Sequence, residues 1–288
     1  MAKVPLVSII LPVKNGEPTL RRSLDSLLKQ TYKNIQIVII DNYSSDQTLL
    51  IVKEYRLKDK RIKYYQKGPE RASQMNFGVS KATGKYIFIT NCDFIVDKKF
   101  IELAVKKCEE EGFKTCNGHI KSETKGFWSR VKGLERRLYV NDSLMETSLF
   151  YRKDIFLKLG GFDEKMLGVE EEFQHRLDEA GIKMGIINSF QTHIDEIDSL
   201  KEIVLKSFYY GLNDANYFRK HPIHAFVKRF PIRKAFIRNF GSLMSNFDIF
   251  IGFIIFKVLQ YIAGTAGLIL GLVSSARKSR VQRLIYGK

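Results

Sequence analysis

Before residue 215, short apolar runs alternate with segments of helical spacing, and this alternation restricts the chain to a sheet covered by helices. Val7 to Val13, Ile35 to Ile40, Ile62 to Tyr65 and Tyr86 to Thr90 read as strands, being short, apolar and rich in β-branched or aromatic residues. Between them Pro18 to Leu28, Gln47 to Arg56 and Ala72 to Ser80 carry helical apolar spacing, the first with a favourable Pro-Thr start. This βαβαβαβ order predicts a parallel, three-layer α/β fold with right-handed crossovers.

Ligands of such sheets bind beyond the carboxyl ends of the strands, so the residues just past each run are the candidates for chemistry. The second run closes in Asp41-Asn42-Tyr43-Ser44-Ser45-Asp46, a turn-and-cap cluster, and the fourth in Asn91-Cys92-Asp93. A carboxylate at a strand end near backbone amides suits a divalent cation that bridges two phosphates; the plainer alternative is a turn aspartate. No G-x-G-x-x-G follows the first strand and no G-x-x-x-x-G-K-[ST] occurs, which removes the common dinucleotide and P-loop readings. Cys92, Cys108 and Cys116 have no metal-ligand spacing, and an odd number argues against a disulfide framework. A reducing compartment is expected, and the N-terminal apolar run reads as a first strand rather than a secretion signal.

The net charge of +17 over 288 residues is unevenly placed. Residues 219–288 hold thirteen Lys/Arg against one acid, Asp248, a local net of +12. Within this part Ile249 to Val273 is apolar apart from Lys257, Gln260 and Thr265; as a helix it reaches roughly 38 Å, enough to cross a bilayer core. Arg219, Lys220, Lys228, Arg229, Arg233, Lys234 and Arg238 precede it, and Arg277, Lys278, Arg280, Arg283 and Lys288 follow. A single span puts one basic flank on the wrong side, so a re-entrant or interfacial hairpin turning near Gly264 to Gly267 is preferred over a conventional span. The basic flanks would touch anionic headgroups, and Pro231 breaks or starts a helix. The expected division is residues 1–215 as the α/β domain and 216–288 as a basic, apolar membrane-associating region.

Five segments, in order, resemble the family 2 glycosyltransferases: VSIILPVKN, DNYSSDQT, ERASQMNFGVSKATGKYIFITNCD, GGFDEKMLGVEEEFQHRLDEAG and the histidine His193. The resemblance covers about residues 6–215 and implies the nucleotide-sugar-binding fold called GT-A. Pro12 and Asn15 then stop the first strand beside a flat base, with Glu17 near the sugar of a nucleoside. Asp41 suits a base N–H, and Asp46 a ribose hydroxyl or a helix cap. Arg71 and Gln74 match the pattern that holds the diphosphate, Arg71 through its planar fork; Asn76 and Gly78 pack the helix on the pocket. The family's D-x-D reads Asn91-Cys92-Asp93 here, so Asp93 becomes the ligand of Mn²⁺ or Mg²⁺ and Asn91 a neutral donor-site group. His193 completes the metal shell. The general base falls at Glu170, or at Glu171 if the register slides by one; Glu172 and Arg176 form a surface pair.

The activity implied is inverting transfer from a UDP- or GDP-sugar to a hydroxyl or phosphate of a lipid-linked or other glycan acceptor, at the cytoplasmic face of an anionic membrane. Two other classes compete. A non-catalytic membrane scaffold would explain the acids missing at Asn91 and Val169. A nucleic-acid binder would explain the charge, but the cations cluster beside an apolar run rather than along a groove of stacking aromatics. The stretches Lys121 to Asp142 and Phe162 to Val169 are expected to set the sugar and acceptor, with Phe127 filling core.

Overall fold

The computed structural model describes residues 4–123, 125–140, 142, 147–194, 199–229, 234–244 and 246–273. In chain order the elements are β1 (Val7–Val13), α1 (Leu20–Leu28), β2 (Ile35–Asp41), α2 (Thr48–Lys58), β3 (Ile62–Gln66), α3 (Arg71–Lys81), β4 (Tyr86–Ile89), β5 (Phe94–Val96), α4 (Phe100–Glu111) and β6 (Thr115–Glu123). There follow α5 (Phe127–Leu138), β7 (Phe150–Arg152), α6 (Lys153–Lys158), α7 (Val169–Glu179), β8 (Met184–Ile194), α8 (Leu200–Lys220), α9 (Pro222–Arg229), α10 (Lys234–Arg238), α11 (Phe240–Met244) and α12 (Phe247–Val273).

These elements fall into two compact units. The first comprises residues 1–121, 147–164 and 169–194; the second comprises 122–146, 165–168 and 195–288. The boundary expected at residue 215 lies inside the continuous helix α8 of the second unit.

The eight strands follow the order β3-β2-β1-β4-β7-β6-β8-β5. The first four are parallel, as the alternation predicts, with Ile9 beside Ile37 and Phe88. Antiparallel pairing then takes over: β4 with β7, β6 with β7, and β5 with β8. Ile9, Ile37 and Phe88 have no exposed surface, and they belong to a core that includes Leu24 and Phe100. Helix α3 lies close on the sheet because residue 78 is glycine; a Cβ there would stand 2.6 Å from Ile10 and Ile40 side-chain carbons.

Pro12 does not stop the first strand but lies within it, opposite Ile40. The backbone of Val7 and Val13 bonds toward β2 and that of Ile10 toward β4, so position 12 also faces β4. The β4 ladder ends at Ile89, opposite Ile10, and the missing proline N–H therefore costs no sheet bond.

In the second unit, α12 is one continuous helix, which corrects the expected turn at Gly264 to Gly267. Gly267 serves packing instead, as does Gly271. A Cβ on Gly267 would meet Phe208 O at 2.1 Å, and one on Gly271 would meet Leu212 O at 2.3 Å, so α8 and α12 run parallel with their backbones nearly touching. Val131, Leu134, Ile203, Phe253 and Phe256 form the core beside this seam. Several cations expected at headgroups have internal partners: Arg219 donates to Gly271 O (2.9 Å) and Leu272 O (3.0 Å), Arg229 pairs with Asp214 (2.7 Å), and Lys228 is buried. Phe127 is 42% exposed rather than core-filling; it meets Trp128 edge-on with centroids 5.0 Å apart, at the start of α5. Pro231, Arg233 and the cations from Arg277 onward lie outside the described residues.

Candidate functional site

The loops after β1 and β2 are stitched together at the carboxyl edge of the parallel strands. Asn15 adopts a left-handed backbone (φ 49°), which asparagine tolerates, and its N–H donates to Ser44 Oγ at 2.8 Å while its Oδ1 accepts from Ser45 N at 2.9 Å. Glu17 N donates to Asp46 Oδ2 (3.0 Å), and Glu17 Oε2 accepts from Gln47 N (3.1 Å). Asp46 Oδ1 also accepts from Thr48 N at 3.0 Å, the first residue of α2, whose N-cap position is the neighbouring Gln47. Partial burial opposes ionisation of Asp46, but the Thr48 hydroxyl and the Glu17 and Thr48 amides hold its carboxyl below the ordinary value.

Asp41 ends β2 and is buried, with both oxygens engaged. Ser44 donates from its amide (3.2 Å) and its hydroxyl, Tyr64 from its hydroxyl at 3.1 Å and Gln66 from its amide at 3.3 Å. A base N–H reaching this carboxylate must share it with Tyr64 and Gln66. The parallel register places Gln66 beside Asp41, a pairing that the sequence alone does not display. Gln74 is buried within α3.

Arg71 opens α3 and reaches across the edge of the sheet. Its Nη2 donates to Asn91 Oδ1 at 2.9 Å and to Glu170 Oε1 at 2.5 Å. Thus the structure brings together Arg71, Asn91 and Glu170. Two contacts position this acid. Asn76 of α3 grips Phe162 through both backbone groups (2.9 and 3.0 Å), and Gly161, at φ +69°, leaves room for it, since a Cβ would stand 2.9 Å from Asn76 Oδ1. Glu172, expected at the surface, has no exposure; Arg176 pairs with it at 2.7 Å and donates to Gly161 O at 2.7 Å and to Leu159 O. The apolar positions Val169, Phe173 and Leu177 bury this face of α7 and carry Glu172 inward with them.

Asp93 and His193 meet through strand pairing. Phe94 of β5 pairs with His193 of β8, and Ile194 N donates to Asp93 O at 2.8 Å, which sets His193 Nε2 3.3 Å from Asp93 Oδ2. The imidazole also stands edge-on to Phe94 with centroids 4.7 Å apart. Burial disfavours the charge on Asp93, yet the hydrogen bond and charge of His193, with the more distant Arg71, hold the carboxyl below its ordinary value. Burial, followed by the charge of Asp93, pushes the Cys92 thiol up to about 12.

Asp93 Oδ1 is buried and has no hydrogen-bond partner among the described residues. An unsatisfied carboxylate oxygen beside an imidazole is a donor set that suits Mn²⁺ or Mg²⁺. No cluster of three or more His, Cys, Asp or Glu occurs among the described residues. Close by, Thr90 donates to Gln191 Oε1 at 3.1 Å with both side chains buried, a tie between β4 and β8 that no sequence pattern announced.

The family model described as "Glycosyl transferase family 2" matches residues 8–161, just over half of the chain. An uncharacterized glycosyltransferase of Methanocaldococcus jannaschii is 29% identical over 201 residues, 65% of this chain and 69% of that protein. One of Haemophilus influenzae is 41% identical over 101 residues, covering 33% of this chain and 40% of the relative. Glycosyltransferase GlyA of Streptococcus pneumoniae is 32% identical over 146 residues, covering 49% and 21%. The match thus spans less than half the length of the last two. Among solved structures, the mannosyltransferase PcManGT from Pyrobaculum calidifontis, in complex with GDP-Man and Mn²⁺, aligns with a TM-score of 0.68 at 14% identity, covering 94% of this chain and 88% of that one. TarS residues 1–349 of S. aureus, in complex with UDP-GlcNAc, align at 0.55 and 16% identity, covering 98% and 92%. These likenesses show the GT-A fold.

Proposed function

Because the chain belongs to glycosyl transferase family 2, we propose that it is an inverting enzyme that moves a sugar from a nucleoside-diphosphate sugar to a hydroxyl or phosphate of a lipid-linked acceptor at the cytoplasmic face of a membrane. The observation that carries this reading is the junction of Arg71, Asn91 and Glu170 at the strand edge that also bears Asp93 and His193. It combines a fork for phosphate oxygens, a carboxylate for an acceptor proton and a donor set for a divalent ion.

The acceptor oxygen attacks the anomeric carbon as the bond from that carbon to the phosphate oxygen breaks, and the configuration inverts. Glu170 takes the acceptor's proton. The electron pair leaves with the nucleoside diphosphate, whose charge Arg71 neutralises through two parallel N–H groups. Asp93 and His193 would hold a divalent ion, which supplies further charge stabilisation to the diphosphate when bound. Arg71 is paired with Glu170, so a bound diphosphate would compete for the guanidinium and free the carboxylate for the acceptor. The donors bound by PcManGT and TarS, GDP-Man and UDP-GlcNAc, support a nucleotide-sugar donor here. The apolar helix α12, long enough to cross a membrane, supports a membrane-held acceptor.

The test is release of nucleoside diphosphate and label transfer from a panel of UDP- and GDP-sugars to membrane lipid extract, with Mn²⁺ or Mg²⁺. Turnover with donors of one base is the expected result. Nucleotide binding without hydrolysis or transfer from any donor would favour the scaffold instead.

A further inference from the structure

Helix α12 presents one apolar stripe along nearly its whole length. Ile251, Ile255, Val258, Ile262, Ile269 and Val273 recur at helical spacing and are 41% to 81% exposed. From the first to the last the stripe runs about 33 Å. The opposite face is closed by the glycine seam with α8 and by α5. Ion pairs lie between α12 and α5, Lys257 with Glu135 at 2.7 Å; between α8 and α9, Asp214 with Arg229 at 2.7 Å; and on α8 itself, Glu202 with Lys206 at 2.5 Å.

This geometry separates two ways in which an apolar helix of this length meets lipid. Since α8 runs parallel to α12 in close contact, a transbilayer α12 would draw the pairs on α8 into hydrocarbon, where burying charge is strongly unfavourable. Lying in the membrane plane, α12 sinks only its stripe into the acyl boundary and leaves the pairs on the aqueous side. The charge of the sequence agrees, because apart from the internally engaged Arg219, Arg229 and Lys257 and the buried Lys228, residues 219–288 carry nine further cations against Asp248 alone. Phe247, 68% exposed, and Phe127, 42% exposed, stand near the start of the stripe as interfacial aromatics do.

We infer that α12 is an in-plane membrane helix whose Ile251 to Val273 stripe docks on an anionic lipid surface, and that it does not span the bilayer. The inference rests on the membrane reading above and specifies its geometry.

Two measurements on the full chain test it. In the first, the single native Trp128 is replaced by Phe, and Ile251→Trp, Val258→Trp and Ile269→Trp are made one at a time. Each variant is bound to phosphatidylglycerol/phosphatidylcholine vesicles carrying bromine at defined acyl depths. Equal, shallow quenching depth at all three positions is expected. A tryptophan at 258 that reaches the midplane while those at 251 and 269 stay near the interfaces means a span and overturns the in-plane inference alone. In the second, Ile262→Asp with Ile269→Asp should weaken vesicle binding about ten-fold or more at unchanged melting temperature. Unchanged binding overturns the stripe as the contact. No vesicle binding by the native chain overturns the membrane reading as well. A native dimer in size-exclusion chromatography that the double variant converts to monomer assigns the stripe to a second copy and overturns the proposal.

Discussion

Arg71 and Glu170 form an ion pair at 2.5 Å although ninety-nine residues separate them in the chain. One is placed by the start of α3 and the other by the first turn of α7, and Asn91 at the end of the β4 loop shares the same guanidinium. Glu170→Gln is expected to lower kcat by about 10²- to 10⁴-fold while nucleotide affinity stays within a few-fold of native. Glu171→Gln should retain most activity. Steady-state kinetics beside calorimetric titration with UDP and GDP separates the two, and a larger loss from Glu171→Gln would move the base by one position.

Asp93 supplies the buried oxygen that has no partner among the described residues, and His193 stands beside it. Asp93→Ala should abolish the gain in nucleotide affinity produced by Mn²⁺, leaving metal-free binding nearly unchanged. Asn91→Asp should strengthen the metal-dependent part, because it adds a charged oxygen two residues before Asp93. Isothermal titration with and without Mn²⁺ reads both effects, and identical metal dependence in Asp93→Ala would remove this residue from the ion.

Glu172 has no exposed surface and is held by Arg176, which also binds Gly161 O and Leu159 O. Replacing Arg176 with Met removes the cation paired with this buried carboxylate, at a cost of about 3 to 5 kcal/mol. A fall in the urea midpoint of unfolding with the slope unchanged is expected. A surface pair of the kind suggested by the i, i+4 spacing alone would cost under about 1 kcal/mol, so the midpoint distinguishes the two.

The strands and helices of the first half were legible because their period and their punctuation agree: β1 runs Val7–Val13, and α1 through α3 begin and end within two residues of their apolar spacing. Asp93, His193, Arg71 and Glu170 were legible one by one, from motif order. Their partners were not. The antiparallel β5 to β8 pairing that joins Asp93 to His193, and the engagement of Asp41 by Tyr64 and Gln66, depend on register, which a single chain does not display. The glycines of α12 misled for a related reason. Gly264 and Gly267 carry the composition of a turn, but the Gly264 backbone lies against Gly211 and the lack of a Cβ on Gly267 is used for contact with α8.

That contact gives a stability prediction opposite in sign to helix propensity. In a helix interior, Gly→Ala ordinarily stabilises by about 1 kcal/mol. At Gly211 the added Cβ would stand 1.9 Å from the backbone oxygen of Gly264, and neither helix backbone can yield without opening the seam. Gly211→Ala should therefore destabilise the second unit by about 1 to 3 kcal/mol. Gly241 in α11 has nothing within 4 Å of its Cβ direction, so Gly241→Ala should be neutral or mildly stabilising. Hydrogen exchange of the α8 and α12 amides provides the readout: faster exchange in Gly211→Ala and native rates in Gly241→Ala are expected. Equal protection in both variants would show that the close approach of α8 to α12 does not hold this unit together.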